Sequence, residues 1–249
     1  MLQTASYTDT GGRTANEDST RQARRGEDRL CLVVADGLGG HGGGAQASAA
    51  AADTICRGWK GEADPEALKR LIQMGHEAVT AIQTPQCAMK STVVALELAG
   101  RQAAWAHVGD SRLYHFVDGR LTFQTKDHSA SQIAVYMGDI TVDQIRVHED
   151  RNRVLRALGQ EGAPTVEAGE ETLCPGRHAF LLCSDGFWEY VLEDEMAADL
   201  IAAADPLDWL IRMRSRLAGR VPANNDNNTA AAAWVDIPAR HGKRVEREI

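Results

Sequence analysis

The sequence predicts an α+β protein in which antiparallel sheets carry helices packed on their outer sides. Three observations predict it. Strand-like segments outnumber the helices that could cross between them. Most neighbouring strands are joined by short turns rather than by long crossovers, which is the connection antiparallel pairs need. No internal repeat and no low-complexity linker interrupts the alternation of elements, so they belong to one layered arrangement.

The elements follow in order. Leu30-Cys31-Leu32-Val33-Val34-Ala35 is a continuous apolar run that ends in Asp36-Gly37, the pattern of a buried strand feeding a turn. Ala45 to Trp59 is alanine-rich and helical. Asp64-Pro65 supplies an N-cap and a first-turn proline. Leu68, Leu71, Ile72, Gly75, Val79 and Ile82 then recur at helical spacing. Thr92 to Leu98, Gln102 to Val108 and Arg112 to Val117 read as strands. Gly100-Arg101 and Gly109-Asp110 separate them, and Asp118-Gly119 is a hairpin signal. The stretch from Ser129 to Arg156 is polar, with helical pieces, and Thr141 to Gln144 has the form of a capping box. Val166 to Leu173 and His178 to Cys183 are strand-like. Asp205-Pro206 opens a helix whose Leu207, Leu210, Met213 and Leu217 share a face. Thr229 to Val235 reads as a last strand. Trp188 and Trp234 are expected in the core.

The composition removes several function classes. Hydrophobic residues make up 43% of the 249 and charged residues 25%, as in ordinary globular proteins. A net charge of −8 without a basic run argues against nucleic acid and against anionic membrane surfaces. No apolar stretch nears the roughly 20 residues of a membrane span, and the N-terminus has no secretory pattern. The five cysteines are odd in number and include no C-x-x-C, which fits free thiols in a reducing cytoplasm.

The carboxylates carry the chemistry. Asp36, Asp110 and Asp185 each end an apolar strand beside glycine, and Asp226 sits in Asn224-Asn225-Asp226-Asn227-Asn228-Thr229 just ahead of another apolar run. Any one of them alone is as readily a turn former. An ionised carboxylate at the mouth of a buried strand is costly unless paired or metal-bound. Four in one chain favour a shared hard cation, and oxygen-only donors suit Mg²⁺ or Mn²⁺ over Zn²⁺.

The order of motifs is more specific still: GGRTANEDS, VADGLGGHGGGAQAS, STVVAL, HVGDSRLY, TKDHS, LRALG, LLCSDGFWEYV and DNNTAAAAWV. From about Gly11 to Val235 this series resembles the metal-dependent Ser/Thr protein phosphatases of type 2C, in their short bacterial form. The resemblance implies a four-layer α-β-β-α sandwich, two antiparallel sheets face to face with helices on both outer sides. It implies one catalytic domain over 1–238, a variable flap over about 129–156, and a charged tail over 239–249. It implies hydrolysis of phosphoserine and phosphothreonine on proteins by a hydroxide that bridges two Mn²⁺ or Mg²⁺ ions, opposing a Ser/Thr kinase. In that scheme Asp36 bridges the metals and the Gly37 carbonyl holds the second. Asp185 and Asp226 hold the first, and Asp110 contributes to a third, weaker site. Glu17 orients water and Arg13 grips the phosphate. The protein is then expected to be a cytoplasmic monomer that binds phosphoprotein substrates and neither nucleic acid nor membrane.

Several positions keep two readings. A guanidinium such as Arg13 offers a bidentate grip on phosphate oxygens, against the ordinary solvated arginine. His41 can donate a proton to the leaving oxygen or simply hydrogen-bond within its loop. Asp18 supports the metal ligands or acts as a cap. Asp110 binds a cation or forms a structural salt bridge with Arg112. Asp127-His128 reads as a structural Asp-His pair rather than a ligand. Gly39, Gly40, Gly42, Gly43 and Gly44 supply loop freedom; no P-loop lysine follows to make a phosphate cradle. The chain departs from its relatives at Ala45, where they often have glutamate, and at Lys90-Ser91-Thr92, where they have glycine before a threonine pair. No cysteine has an arginine six residues later, no two aspartates stand two apart, and G-D-x-H-G is absent, so other phosphatase chemistries have no footing. A catalytically dead scaffold would have lost ligand positions, and these are all present. Substrates remain open between partner-switching regulators and secretion-system phosphoproteins.

Overall fold

Strand β3 (Arg29–Leu38) shows why the layers form. Cys31, Val33 and Ala35 point to one core, shared with helices α1 (Gly43–Gly58) and α2 (Pro65–Ile82). Leu30, Leu32 and Val34 point to another, shared with a second sheet. Both faces of the strand are buried, so its sequence is continuously apolar rather than alternating. The computed structural model describes residues 1–38 and 43–239.

Two antiparallel sheets result. One runs β1 (Leu2–Asp9), β11 (Asn228–Ile237), β10 (Gly176–Cys183), β7 (Arg112–Val117), β8 (Arg120–Gln124). The other runs β2 (Asp18–Arg24), β3, β5 (Val93–Ala99), β6 (Gln102–Val108), β9 (Glu167–Thr172), with the short β4 (Lys90–Ser91) paired to the end of β3. Leu96, Leu113, Phe180, Leu182 and Ala231 fill the space between the sheets. A third core packs Phe116, Leu181 and Trp234 under α5 (Glu193–Ala202) and α6 (Pro206–Ala218), through Met196, Trp209 and Met213. Three cores between four layers give the α-β-β-α sandwich that the resemblance implies. Burying a side chain such as Leu96 or Phe180 stabilises by about 1.5–3 kcal/mol.

The helix starts behave as the sequence indicates. Asp64 accepts from Glu66 N at 2.9 Å and Asp205 from Asp208 N at 2.8 Å, each followed by proline. At the β7–β8 turn, Asp118 and Gly119 have φ of 48° and 81°, the left-handed pair that closes a two-residue hairpin. Trp188 and Trp234 are buried. The polar stretch holds α3 (Ala130–Met137) and a 3-10 turn at Val142–Val147, and Thr141 N donates to Gln144 Oε1 at 2.7 Å.

Some elements differ from the sequence reading. β1, β2 and α5 were not expected as elements, and the last strand is longer at both ends, 228–237. The charged tail from 240 onward and the loop residues 39–42 lie outside the described residues. Of the free cysteines, Cys31 and Cys183 are buried and Cys174 is exposed.

Candidate active site

The strand ends bring most of the sequence-predicted residues to one place. A cavity of 610 Å³ at one end of the sandwich is lined by Arg13, Glu17, Asp36, Gly37, Asp110, Asp185 and Asp226, among others. Asp36 comes from the end of β3 and Asp110 from the β6–β7 turn. Asp185 opens the short helix α4 (Asp185–Trp188), and Asp226 precedes β11. Asp18 does not line the cavity. It sits across the β2–β3 register from Asp36 and accepts Ser184 Oγ–H at 2.7 Å, so it braces the residue before Asp185. His41 falls within 39–42, outside the described residues.

The electrostatics explain what such a cluster needs. Burial, and then the charges of Asp18, Asp185 and Asp110, hold the Asp36 carboxyl well above the usual carboxylate range. Asp110 is raised likewise by burial, and Asp185 by burial and by Asp226. Burial lifts Asp18 to about 7. Asp110 Oδ2 and Asp18 Oδ1 have no hydrogen-bond partner among the described residues. Carboxylates packed this closely either keep protons or bind a cation. The donors are all oxygen, which fits Mn²⁺ or Mg²⁺. Among the described residues, the one arginine that lines the cavity is Arg13, and it forms a 2.7 Å pair with Asp226. Both partners are about half exposed.

The backbone around these side chains is tied by Asn227, which the sequence did not single out, and by Ser91 and Thr92. Asn227 Nδ2 donates to the carbonyls of Thr10 and Ala15 at 2.8 and 2.9 Å, while its Oδ1 accepts Glu17 N–H at 2.8 Å. One amide thus fixes the segment that carries Arg13 and Glu17 against the Asp226 turn. Thr92 Oγ1 accepts Asp36 N–H at 3.1 Å, and Ser91 Oγ donates to Asp36 O at 3.0 Å. The departure at Lys90-Ser91-Thr92 therefore supports Asp36 directly. At Gly37 a Cβ would lie 2.1 Å from Gly44 O, so only glycine lets β3 and the start of α1 cross this closely. Asn152 and Val154, from the polar stretch, also line the cavity. A side pocket of 200 Å³ opens beside it, with Arg151, Glu189 and Tyr190 on its wall.

The pairings at 110–128 differ from the sequence reading. Arg112 does not form its salt bridge with Asp110. It grips Asp127 with two contacts of 2.8 and 2.7 Å, both side chains being almost fully buried. Asp127 is thereby the partner of Arg112 and not of His128. His128 Nδ1 instead accepts Gly109 N–H at 3.1 Å, and its Nε2 faces Glu167 Oε1 at 3.1 Å. His107, His128 and Glu167 do cluster within 4.8 Å, away from the cavity. The Gly109 contact takes the Nδ1 lone pair, so the ring proton sits on Nε2 and no nitrogen of His128 is free for a metal.

A family model for protein phosphatase 2C matches residues 11–220. The Ser/Thr protein phosphatase PstP of Mycobacterium tuberculosis is 31% identical over 245 residues, covering 94% of this chain and 45% of that protein. The chain thus spans less than half the length of that relative. The Ser/Thr phosphatase stp of Listeria monocytogenes is 32% identical over 73% of this chain and 75% of its own. Among solved structures, M. tuberculosis PstP/Ppp superposes with a TM-score of 0.77 at 32% identity, covering 96% of this chain and 99% of that one. The PstP catalytic domain in complex with two manganese ions gives 0.76 at 31% identity, over 94% and 99% of the two chains. PppA, described as a regulatory component of the type VI secretion system in Pseudomonas aeruginosa, gives 0.76 at 29%, over 93% and 96%. With the motif order, the fold and the matched span in agreement, the chain belongs to the protein phosphatase 2C family.

Proposed function

We propose that this chain is a metal-dependent protein phosphatase that hydrolyses phosphoserine and phosphothreonine on proteins and opposes a Ser/Thr kinase. The observation that carries the reading is the set of buried carboxylates Asp36, Asp110 and Asp185, which face one cavity with a single arginine among its described lining residues. That arrangement is unfavourable without added positive charge and favourable with two divalent ions. It is supported by the two manganese ions in the PstP relative.

In this reading Asp36 would be shared by two ions, Asp185 and Asp226 would help hold one of them and the Gly37 carbonyl the other, and Asp110 would serve a third, looser ion. Bound there, Mn²⁺ or Mg²⁺ supplies the positive charge that a phosphate dianion requires and acidifies water towards neutrality. The chain's own residues do the rest. Arg13, at the rim, turns from Asp226 to two phosphate oxygens, a charge-assisted grip. Glu17, fixed by Asn227, orients the attacking water. Asp18 keeps the Asp185 turn in place through Ser184. Asn152 and Val154 of the flap over 129–156 border the substrate, and the side pocket receives residues flanking the phosphorylated one. His41 is the candidate to protonate the leaving oxygen. The catalytic domain occupies 1–238 and works as a cytoplasmic monomer. No described helix is long and apolar enough to cross a membrane.

Hydrolysis of a phosphothreonine peptide, with Mn²⁺ and with excess EDTA, tests the proposal. Turnover that requires Mn²⁺ and vanishes in EDTA and in Asp36→Ala is expected. Turnover that persists in chelator overturns it.

A further inference from the structure

The turn that carries Asp110 is held by a residue outside the cavity. Gly109 has φ of 106°, a conformation open to glycine, and a Cβ there would lie 2.6 Å from Thr92 Cβ. Its two backbone groups are both taken by His128. Gly109 N–H donates to His128 Nδ1 at 3.1 Å, and His128 N–H donates to Gly109 O at 2.9 Å. The preceding residues continue the clasp: Asp127 holds Arg112, and Thr125 Oγ1 accepts Leu113 N–H at 3.0 Å. On its other side the clasp reaches the flap. Leu155 N–H donates to His128 O at 2.7 Å, and Ala130 N–H donates to Arg153 O at 3.0 Å. Between those two contacts stands Val154, which lines the cavity.

We propose that His128 is a positioning residue: through Nδ1 it fixes Gly109, hence the direction of the Asp110 carboxylate, and through its backbone it couples that turn to the flap residue Val154. The inference rests on the reading of Asp110 as a ligand of a loosely held cation. The imidazole is suited to the task because burial, reinforced by His107, keeps its pKa down at about 4. Nδ1 therefore remains an acceptor at neutral pH. The groups that face the ring are His107, stacked at 4.6 Å between centroids, Glu167 beside Nε2, and Arg156, which is 3.5 Å from the same carboxylate. None of them can replace Nδ1 as the acceptor for Gly109.

Two substitutions separate the hydrogen bond from the bulk of the ring. His128→Asn keeps an acceptor at the Nδ1 position and loses most of the ring. His128→Phe keeps the ring and loses the acceptor. If His128 positions Asp110, His128→Phe shifts the Mn²⁺ concentration for half-maximal turnover upward by roughly tenfold or more, in the range seen when a partner that orients a ligand is removed. His128→Asn stays within about threefold of wild type on the same scale, with KM for the phosphopeptide unchanged in both. Amide hydrogen exchange at Gly109, read by NMR on the metal-free protein, quickens in His128→Phe and not in His128→Asn. The exchange readout needs no activity, so it judges the clasp even if the chain hydrolyses no phosphopeptide. Equal effects of the two substitutions, or a wild-type metal profile in His128→Phe with unchanged exchange, overturn the proposal.

Discussion

Arg112 holds Asp127 through Nε and Nη2, at 2.8 and 2.7 Å, with the guanidinium stacked 3.5 Å above the Trp188 ring. The pair is nearly inaccessible to water. Its energy comes less from attraction than from the penalty of separating it, because either charge left alone in the interior is poorly solvated. Asp127→Asn is therefore expected to destabilise the fold by about 3–5 kcal/mol. Urea unfolding measures this. A loss within about 0.5 kcal/mol, the surface norm, would show that the pair is dispensable.

Because Arg112 is engaged elsewhere, Asp110 is free to serve a cation. Asp110→Asn should lower kcat and change the shape of the Mn²⁺ titration, with little change of Tm in EDTA. A titration curve that superimposes on wild type after scaling would falsify this role.

Asp36 is buried among Asp18, Asp185 and Asp110, so its removal should separate stability from function. In EDTA at pH 8, Asp36→Asn is expected to have a Tm equal to or above wild type, since an ionisable group buried among like groups is replaced by a neutral amide. Added Mn²⁺ at about 100 Kd should stabilise wild type by about 2.7 kcal/mol and the variant hardly at all. Calorimetry with and without metal reads both effects; a full Mn²⁺ response in the variant speaks against Asp36 as a ligand.

Arg13 is solvent-exposed, so its pair with Asp226 adds little to stability. Arg13→Ala should leave Tm nearly constant and raise KM for phosphopeptide, the loss corresponding to roughly 1.5–3 kcal/mol of charge-assisted hydrogen bonding. An unchanged KM would remove Arg13 from the phosphate site.

Glu97 gives a pH dependence far from the cavity. Burial in β5 raises its pKa to about 7, only partly offset by the Asp64 N–H at 3.2 Å. A raised carboxyl favours the folded state fully below the unfolded value and loses that contribution as pH rises through 7. Wild type should thus lose roughly 1–3 kcal/mol more than Glu97→Gln between pH 5 and pH 8. Parallel denaturation curves across that range would assign the pH dependence elsewhere.

How far the sequence is legible depends on where each signal resides. Leu30 to Ala35 is unmistakable because both faces are buried. LQTASYTD and DSTRQAR are not, because β1 and β2 are largely half-exposed and are strands chiefly through pairing with β11 and β3. The acidic strand ends could be picked out by their apolar context, and the motif order assigned them roles. The Arg112–Asp127 pair could not: it spans 15 positions and exists only because the β7–β8 hairpin returns the chain. Asn227 was hidden for a similar reason, since it acts on carbonyls of Thr10 and Ala15 at the other end of the sequence.

The pairing of Arg13 with Asp226 has a kinetic consequence. The same carboxylate that neutralises the arginine is proposed to receive a metal ion, so the arrival of that ion competes the arginine away from Asp226. Because the pair is exposed and weak, metal loading would ease substrate docking modestly rather than gate it. Phosphopeptide would meet an unmasked guanidinium more often on a loaded enzyme, and metal and substrate would each favour the binding of the other.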